Sequence, residues 1–251
     1  MVRNRVLILG SKPGAKIGTF DQAYCANAAS SFYAEELSQC GGRVQSVISA
    51  SELVSNRRKG ASDKAKWLES KLPMLVDNTK TKIFLVHHDS FPAAVTVLRE
   101  SSFTGEYELI SAVELNQIQY KVTGLREPIW TGFHRKVAWS EFLTNMRQYI
   151  ADLLQSLYNG SQSGSGLFRP STGVISLIKA IYDHGSSADY EVAGIGIKDR
   201  GRYPDGAINT WTPRQKLNAY HVYVDRFICE MLAKEYSIKF EDQSMEYISH
   251  E

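Results

Sequence analysis

Cysteine is scarce in this 251-residue chain, which has only Cys25, Cys40 and Cys229. An odd count without metal-type spacing argues against both a disulfide framework and a cysteine metal site. Cys25 and Cys229 lie among apolar residues and read as small buried hydrophobes. Long apolar runs are missing too, and none approaches the roughly 18 residues of a membrane span. The start is basic and then apolar, but Val6 to Leu9 is too short for a secretion signal. A cytoplasmic protein is expected, and the sequon at Asn159 then carries no meaning. Charge of one sign is absent: the formal net charge is +2, with no long basic run. That excludes a nucleic-acid-binding surface while leaving room for one charged nucleotide. The chain also lacks G-x-G-x-x-G, a Walker loop, D-x-D, H-x-x-x-H and G-x-S-x-G. Each absence removes a standard route to nucleotide, metal or acyl chemistry.

What remains is an ordinary globular composition, 43% hydrophobic and 22% charged, with enough chain to bury a substantial core. Short apolar runs at Val6–Leu9, Tyr24–Ala29, Val44–Ile48, Lys82–Val86, Tyr107–Val113, Tyr190–Ile197 and Ser237–Phe240 read as strands. Helical patterns fall at Ser31–Gln39, Asp63–Leu72, Phe91–Arg99, Val137–Tyr158, Thr172–Asp183 and His221–Tyr236. This alternation predicts an α/β fold, a doubly wound, mainly parallel Rossmann-like sheet with helices on both faces. One domain over residues 1–251 is expected. The Gly/Ser-rich stretch 159–166 is a loop or a linker, and the long loop 198–220 is a candidate lid.

In such sheets ligands sit where strands end and helices begin. Gly10-Ser11-Lys12-Pro13-Gly14 follows the first strand, where glycine lets backbone approach a ligand and Lys12 offers charge. Asn27 stands in a small apolar run, and either contacts a ligand or caps the next helix. Arg169-Pro170-Ser171-Thr172-Gly173 opens a helix, with Ser or Thr as N-cap beside a cation. A helix start of this kind suits an anion. Gly194 ends the Tyr190–Ile197 strand. His221 heads the last long helix and could serve as a general base. His87-His88-Asp89 closes another strand, but adjacent strand residues point to opposite faces, so both histidines cannot easily bind one metal.

These C-terminal residues resemble a known family. Arg169-Pro-Ser-Thr-Gly173 before an apolar helix is similar to the Arg-x-Thr-Ser-Gly segment of the bacterial sialyltransferases of glycosyltransferase family 42. Ala193-Gly194-Ile195 resembles that family's Ser-Gly-Ile strand end. His221, four residues before Asp225 in a helix followed by Ser237-Ile-Lys-Phe240, resembles the segment with its catalytic histidine. Gly10-Ser-Lys-Pro-Gly14 is similar to its Gly-Asn-Gly-Pro-Ser loop, and Asn27 to a nucleotide-contacting asparagine. The middle of the chain, from about residue 45 to 160, has no counterpart in the resemblance.

The resemblance implies a CMP-linked sugar donor and an inverting, metal-independent transfer to a hydroxyl, with no further cofactor. His221 would take the acceptor proton, and Arg202 and Tyr203 would steady the leaving phosphate. Gly10, Ser11, Lys12, Asn27, Arg169, Ser171, Thr172, Gly173 and Gly194 would line the CMP and donor-carboxylate pocket. The chain departs from the family in offering one tyrosine beside arginines where two tyrosines are used. Its first glycine turn differs as well. A Kdo-like donor therefore stands beside sialic acid, and the acceptor would be a bacterial glycan or glycolipid of surface polysaccharide synthesis. That setting is compatible with peripheral contact at the inner face of the membrane. A non-catalytic nucleotide-binding subunit of glycan assembly is the rival reading, and a small histidine-dependent hydrolase is a weaker third.

Overall fold

The computed structural model describes residues 3–11, 14–27, 29–50, 53, 82–86, 91–100, 103–127, 129, 143, 146–147, 150–151, 154, 169–195 and 219–241, with only the backbone for 219–223. Its strands are β1 (Asn4–Leu9), β2 (Gln22–Ala26), β3 (Arg43–Ser49), β4 (Lys82–Val86), β5 (Tyr107–Leu109), β6 (Ala188–Ala193) and β7 (Ile238–Phe240). They form one sheet in the order β5-β4-β3-β2-β1-β6-β7, and every pairing is parallel. The chain starts in the interior of the sheet, builds outward to β5, then returns to place β6 on the free side of β1. The order therefore reverses between β1 and β6, which is the topological switch point of a doubly wound fold.

Helices α1 (Ala29–Phe32), α2 (Ala34–Cys40), α3 (Phe91–Glu100), α4 (Ala112–Thr123), α5 (Thr172–His184) and α6 (Ala219–Glu235) cover both faces. Strand alternation assigns them. Val6, Ile8, Tyr24, Val47 and Phe84 share a core with the apolar residues of α4, α5 and α6. Leu7, Leu9, Ala23, Cys25 and Val44 turn the other way, against Ala29, Tyr33 and Leu37. On that second face Ile48, Ile83 and Leu85 pack on Ala94, Val97 and Leu98 of α3. Strands buried on both faces read as continuous apolar runs, which is why β1 and β4 are visible in the sequence.

The structure corrects several boundaries. The second strand is Gln22–Ala26, and the backbone turns at Asn27. The Tyr107 strand ends at Leu109, because Ser111 caps a new helix over what was expected to be its continuation. Ser111 Oγ accepts the Glu114 N–H at 3.2 Å, and Gly124 closes α4 in the left-handed conformation. That is a serine N-cap followed by a glycine stop. β6 is Ala188–Ala193 and stops short of Gly194. The last long helix starts by Ala219, so His221 is its third described residue and not its head. The connection from β1 to β2 contains no helix among its described residues. Residues 143, 146, 147, 150, 151 and 154 are helical, in keeping with the pattern over 137–158, and Met146 packs on the core. The helix expected at 63–72 and the stretch 159–166 lie outside the described residues. No described helix is long and apolar enough to cross a membrane.

One polar cluster ties the carboxyl-terminal half of α5 to the sheet. Tyr24 donates its hydroxyl to Asp183 Oδ2 at 2.6 Å. Lys179 reaches both oxygens of the same carboxylate, at 2.7 and 2.8 Å, and lies 4.6 Å from the centre of the Phe84 ring. Burial and the Asp183 contact hold the Tyr24 hydroxyl far above its ordinary titration range. Hydrogen bonds to charged groups contribute about 1.5–3 kcal/mol. Tyr24→Phe should therefore lower stability by about 2 kcal/mol in urea unfolding, with the fold retained.

Candidate functional site

The carboxyl ends of β1, β2 and β6 and the start of α5 come together beside the switch point. β1 and β6 remain paired past their last residues: Gly10 N–H donates to Ala193 O at 2.8 Å. The two backbones then pinch. A Cβ on Gly10 would lie 2.1 Å from Gly194 O, far inside contact distance. Gly194 itself has φ 66°, in the left-handed region that favours glycine. Glycine at these two positions is what lets β1 and β6 approach here. Gly173, in the first turn of α5, is set on Ile195, whose side-chain atoms would be 3.2 Å from an added Cβ.

Two of the expected ligand contacts are occupied within the protein. Ser11 turns its hydroxyl to Ala26 O at 3.4 Å. Asn27 adopts φ 51°, donates its N–H to Val47 O at 2.9 Å, and accepts the Ser49 N–H on Oδ1 at 3.4 Å. It thus joins the ends of β2 and β3 and does not cap the next helix. Its Nδ2 group makes no hydrogen bond among the described residues. Asparagine tolerates left-handed backbone better than most residues, which suits it to this turn.

The start of α5 departs from a simple cap. Ser171 has the extended N-cap backbone, φ −66° and ψ 163°, but its side chain makes no cap hydrogen bond. Its N–H donates to Asp225 Oδ1 at 2.7 Å. Among the described residues no side chain caps the first turn of α5, and no acidic residue stands in that turn. A helix start of that composition favours an anion. Asp225, on α6, is 3% exposed. Burial pushes its carboxyl up to about 7, against the opposing pull of Ser171.

Arg169 does not stand ready for a ligand. Its Nε lies 4.0 Å from Glu127 Oε2, with the two side chains 16% and 25% exposed. Burial raises the Glu127 carboxyl and the Arg169 charge lowers it. The Glu127 N–H in turn donates to Asn116 Oδ1 at 3.1 Å. The arginine so ties the α5 start to the end of α4. The backbone of His221 lies on α6 one turn before Asp225. Lys12, Arg202 and Tyr203 lie outside the described residues, as do His87, His88, Asp89 and the loop from 198 to 218. Thr172 and Gly173 are half-buried at the α5 start. No group of three metal-ligating side chains occurs among the described residues.

Sequence reasoning missed the roles of Asp225 and Glu127. A signal for Asp225 existed: it is a carboxylate in the stripe Val224, Ile228, Cys229 and Leu232, all buried. A charge on an apolar helical face needs a partner. Glu127 carried no comparable signal, since its partner Arg169 is far away in the chain.

Two outcomes follow from this geometry. Gly10→Ala should destabilise the fold by about 2 kcal/mol, since overpacked sites with rigid neighbours cost about 1–3 kcal/mol; a melting temperature unchanged from wild type would refute the pinch. Asp225 keeps its proton in the folded state at pH values where the unfolded chain has lost it. Wild-type stability should therefore fall as pH rises from about 4 to about 7, and level off above. Asp225→Asn should flatten that portion of the curve in urea unfolding measured across pH.

No family model, curated protein or solved structure matches the chain.

Proposed function

We propose that this chain is a glycosyltransferase that moves a CMP-linked ulosonic acid, sialic acid or a Kdo-like sugar, onto a hydroxyl of a glycan or glycolipid acceptor. The observation that carries the reading is the convergence at the switch point. Gly10, Gly194 and the uncapped start of α5 meet at one edge, and the same residues carry the likeness to the CMP pocket of the family 42 sialyltransferases. Free amides of a helix start favour a phosphate or carboxylate, and both occur in a CMP-linked ulosonic acid.

In this reading the donor lies across the β1–β6 edge, with Ser171, Thr172 and Gly173 on its anionic groups. Gly10, Ser11, Lys12 and Asn27 border the nucleotide, and Gly194 keeps the floor of the pocket low. Arg169 acts from behind, by fixing the α5 start through Glu127. His221 removes the proton from the acceptor hydroxyl as its oxygen attacks the anomeric carbon. The glycosidic bond to the CMP phosphate breaks with inversion, and the phosphate leaves with the bonding pair. Arg202 and Tyr203 offset the charge that develops on it. Neither metal nor redox cofactor takes part in these steps. The work would be done in the cytoplasm, at the inner face of the membrane if the acceptor is a glycolipid.

The test is a thermal-shift screen against CMP, UDP, GDP, AMP and NAD. A ligand present at many times its Kd should raise the melting temperature by several degrees, and CMP is the one expected to do so. A shift with UDP, GDP or NAD in its place, or with none of them, overturns the donor assignment. His221→Ala should keep the CMP shift and lose transfer by about 10²–10⁴-fold, the usual contribution of a general base. Retained turnover in that variant removes His221 from the mechanism. CMP binding by the wild type without any consumption of CMP-linked sugar would favour the non-catalytic subunit.

A further inference from the structure

Asp225 is the one acidic side chain among the buried polar groups of the described core. An apolar residue would satisfy packing at that place, and burying a carboxyl without compensation is costly. Val224, Ile228, Cys229 and Leu232 along the same helix show what packing alone selects. The compensation Asp225 receives is directed at a single residue. Ser171 gives it a backbone N–H at 2.7 Å. The Ser171 hydroxyl, the usual cap for such a helix start, makes no cap bond. The start of α5 thus forgoes its own cap and is bound to α6.

We propose that Asp225 is a positioning residue whose carboxyl clamps α6 to the first turn of α5 and so fixes the helical turn that carries His221 at the carboxyl edge. The catalytic meaning of that turn rests on the transferase reading; the clamp itself does not. His221 precedes Asp225 by four residues, one helical turn. A shift of α6 relative to α5 would move His221 by the same amount with respect to the α5 start. Few other groups act on Asp225. From α5 only Ser171 does, and α4, also packed on α6, contributes no charged neighbour. On α6 itself the Cys229 thiol feels the Asp225 charge, and Cys229 is in turn raised by Glu230. With no cation acting on it among the described residues, the clamp depends on its hydrogen bond. An amide oxygen can accept the Ser171 N–H as well as a carboxylate can.

The test is amide hydrogen exchange read by mass spectrometry on the full chain, for wild type, Asp225→Ala, Asp225→Asn, Ser171→Pro and Cys229→Ala. Local opening and global unfolding give different patterns of exchange across a structure, so a clamp and a packing loss are separable. Asp225→Ala should speed exchange about tenfold in peptides covering 169–174 and 219–224, with β1 to β4 within about twofold of wild type. Asp225→Asn should restore most of the protection. Cys229→Ala truncates a buried neighbour on the same helix and should speed exchange throughout the fold. If Asp225→Ala does not fold, Ser171→Pro removes the N–H of the clamp at a φ of −66° that proline adopts, and should give the same local pattern, about threefold in size. A uniform rise in Asp225→Ala, no local rise in Ser171→Pro, or an Asp225→Asn variant no better protected than Asp225→Ala overturns the proposal. In a transfer assay Asp225→Ala should lower kcat about tenfold and raise donor KM, because the loosened turn also holds the donor's anionic groups, and Asp225→Asn should recover both. A wild type that transfers nothing would refute the transferase reading, and the exchange pattern would still decide the clamp.

Discussion

The carboxyl edge of this protein depends on how closely β1 and β6 approach one another. β1 is an interior strand, held by β2 on one side and β6 on the other. Its position is therefore fixed before the loop that follows it begins. At Gly10 the distance to Gly194 leaves no room for a side chain. Strand spacing sets the two backbones near each other, and the missing Cβ lets the left-handed turn at Gly194 fold over the end of β1. The start of α5 is seated on Ile195, the next residue along, through Gly173. A change at the β1–β6 seam would thus be felt at the helix start.

The two ends of α5 deal with buried charge in different ways. At its carboxyl end Lys179 and Asp183 neutralise one another, Tyr24 supplies a further donor, and the Phe84 ring covers the ammonium. Lys179, the buried ion there, has an opposite partner, as buried ions require. His184 touches the same cluster, its Nε2 3.2 Å from the Tyr24 hydroxyl, and burial lowers its pKa. At the amino end Asp225 has only neutral donors, and its carboxyl is pushed up to about 7. One cluster is closed and charge-balanced. The other is built so that its charge is costly, which is the pattern associated with functional sites more than with scaffolds.

The fold was legible because the sheet is parallel and interior. Strands buried on both faces give apolar runs without alternation, and β1, β3 and β4 fall close to where such runs occur. The alternation of helices and strands implied a doubly wound sheet, and Gly10, Ser171 and Gly194 were read as lying where its strands end and helices begin. What escaped was tertiary. The helix α4 was hidden because Ile110 and Val113 extend the apolar look of β5, although Ser111, Glu114 and Gly124 carried its start and stop. Asn27 reads as polar in an apolar run, and nothing in the run says that its partner is a backbone amide of β3. Arg169 next to a helix start suggests an anion site, yet Glu127 claims it from a distant part of the chain. A side chain's partner is a property of the fold, so a sequence shows the need for one without showing where it is.

These pairings determine what kind of attraction the described edge offers. Arg169 is matched by Glu127, and the α5 start has no acid in its first turn. Asp225, behind Ser171, has its carboxyl held above the ordinary carboxylate range by burial. What favours an anion is then the set of first-turn amides, fixed dipoles that act over one turn and fade beyond it. Such groups discriminate by position, since a donor amide is strong only along its own N–H direction. A side-chain cation would attract an anion from further away and with less regard to geometry. An edge of this kind therefore depends on rigidity more than on net charge. Rigidity is what the Gly10–Gly194 pinch, the Arg169–Glu127 pair and the Ser171–Asp225 contact each supply, from β1, α4 and α6 in turn.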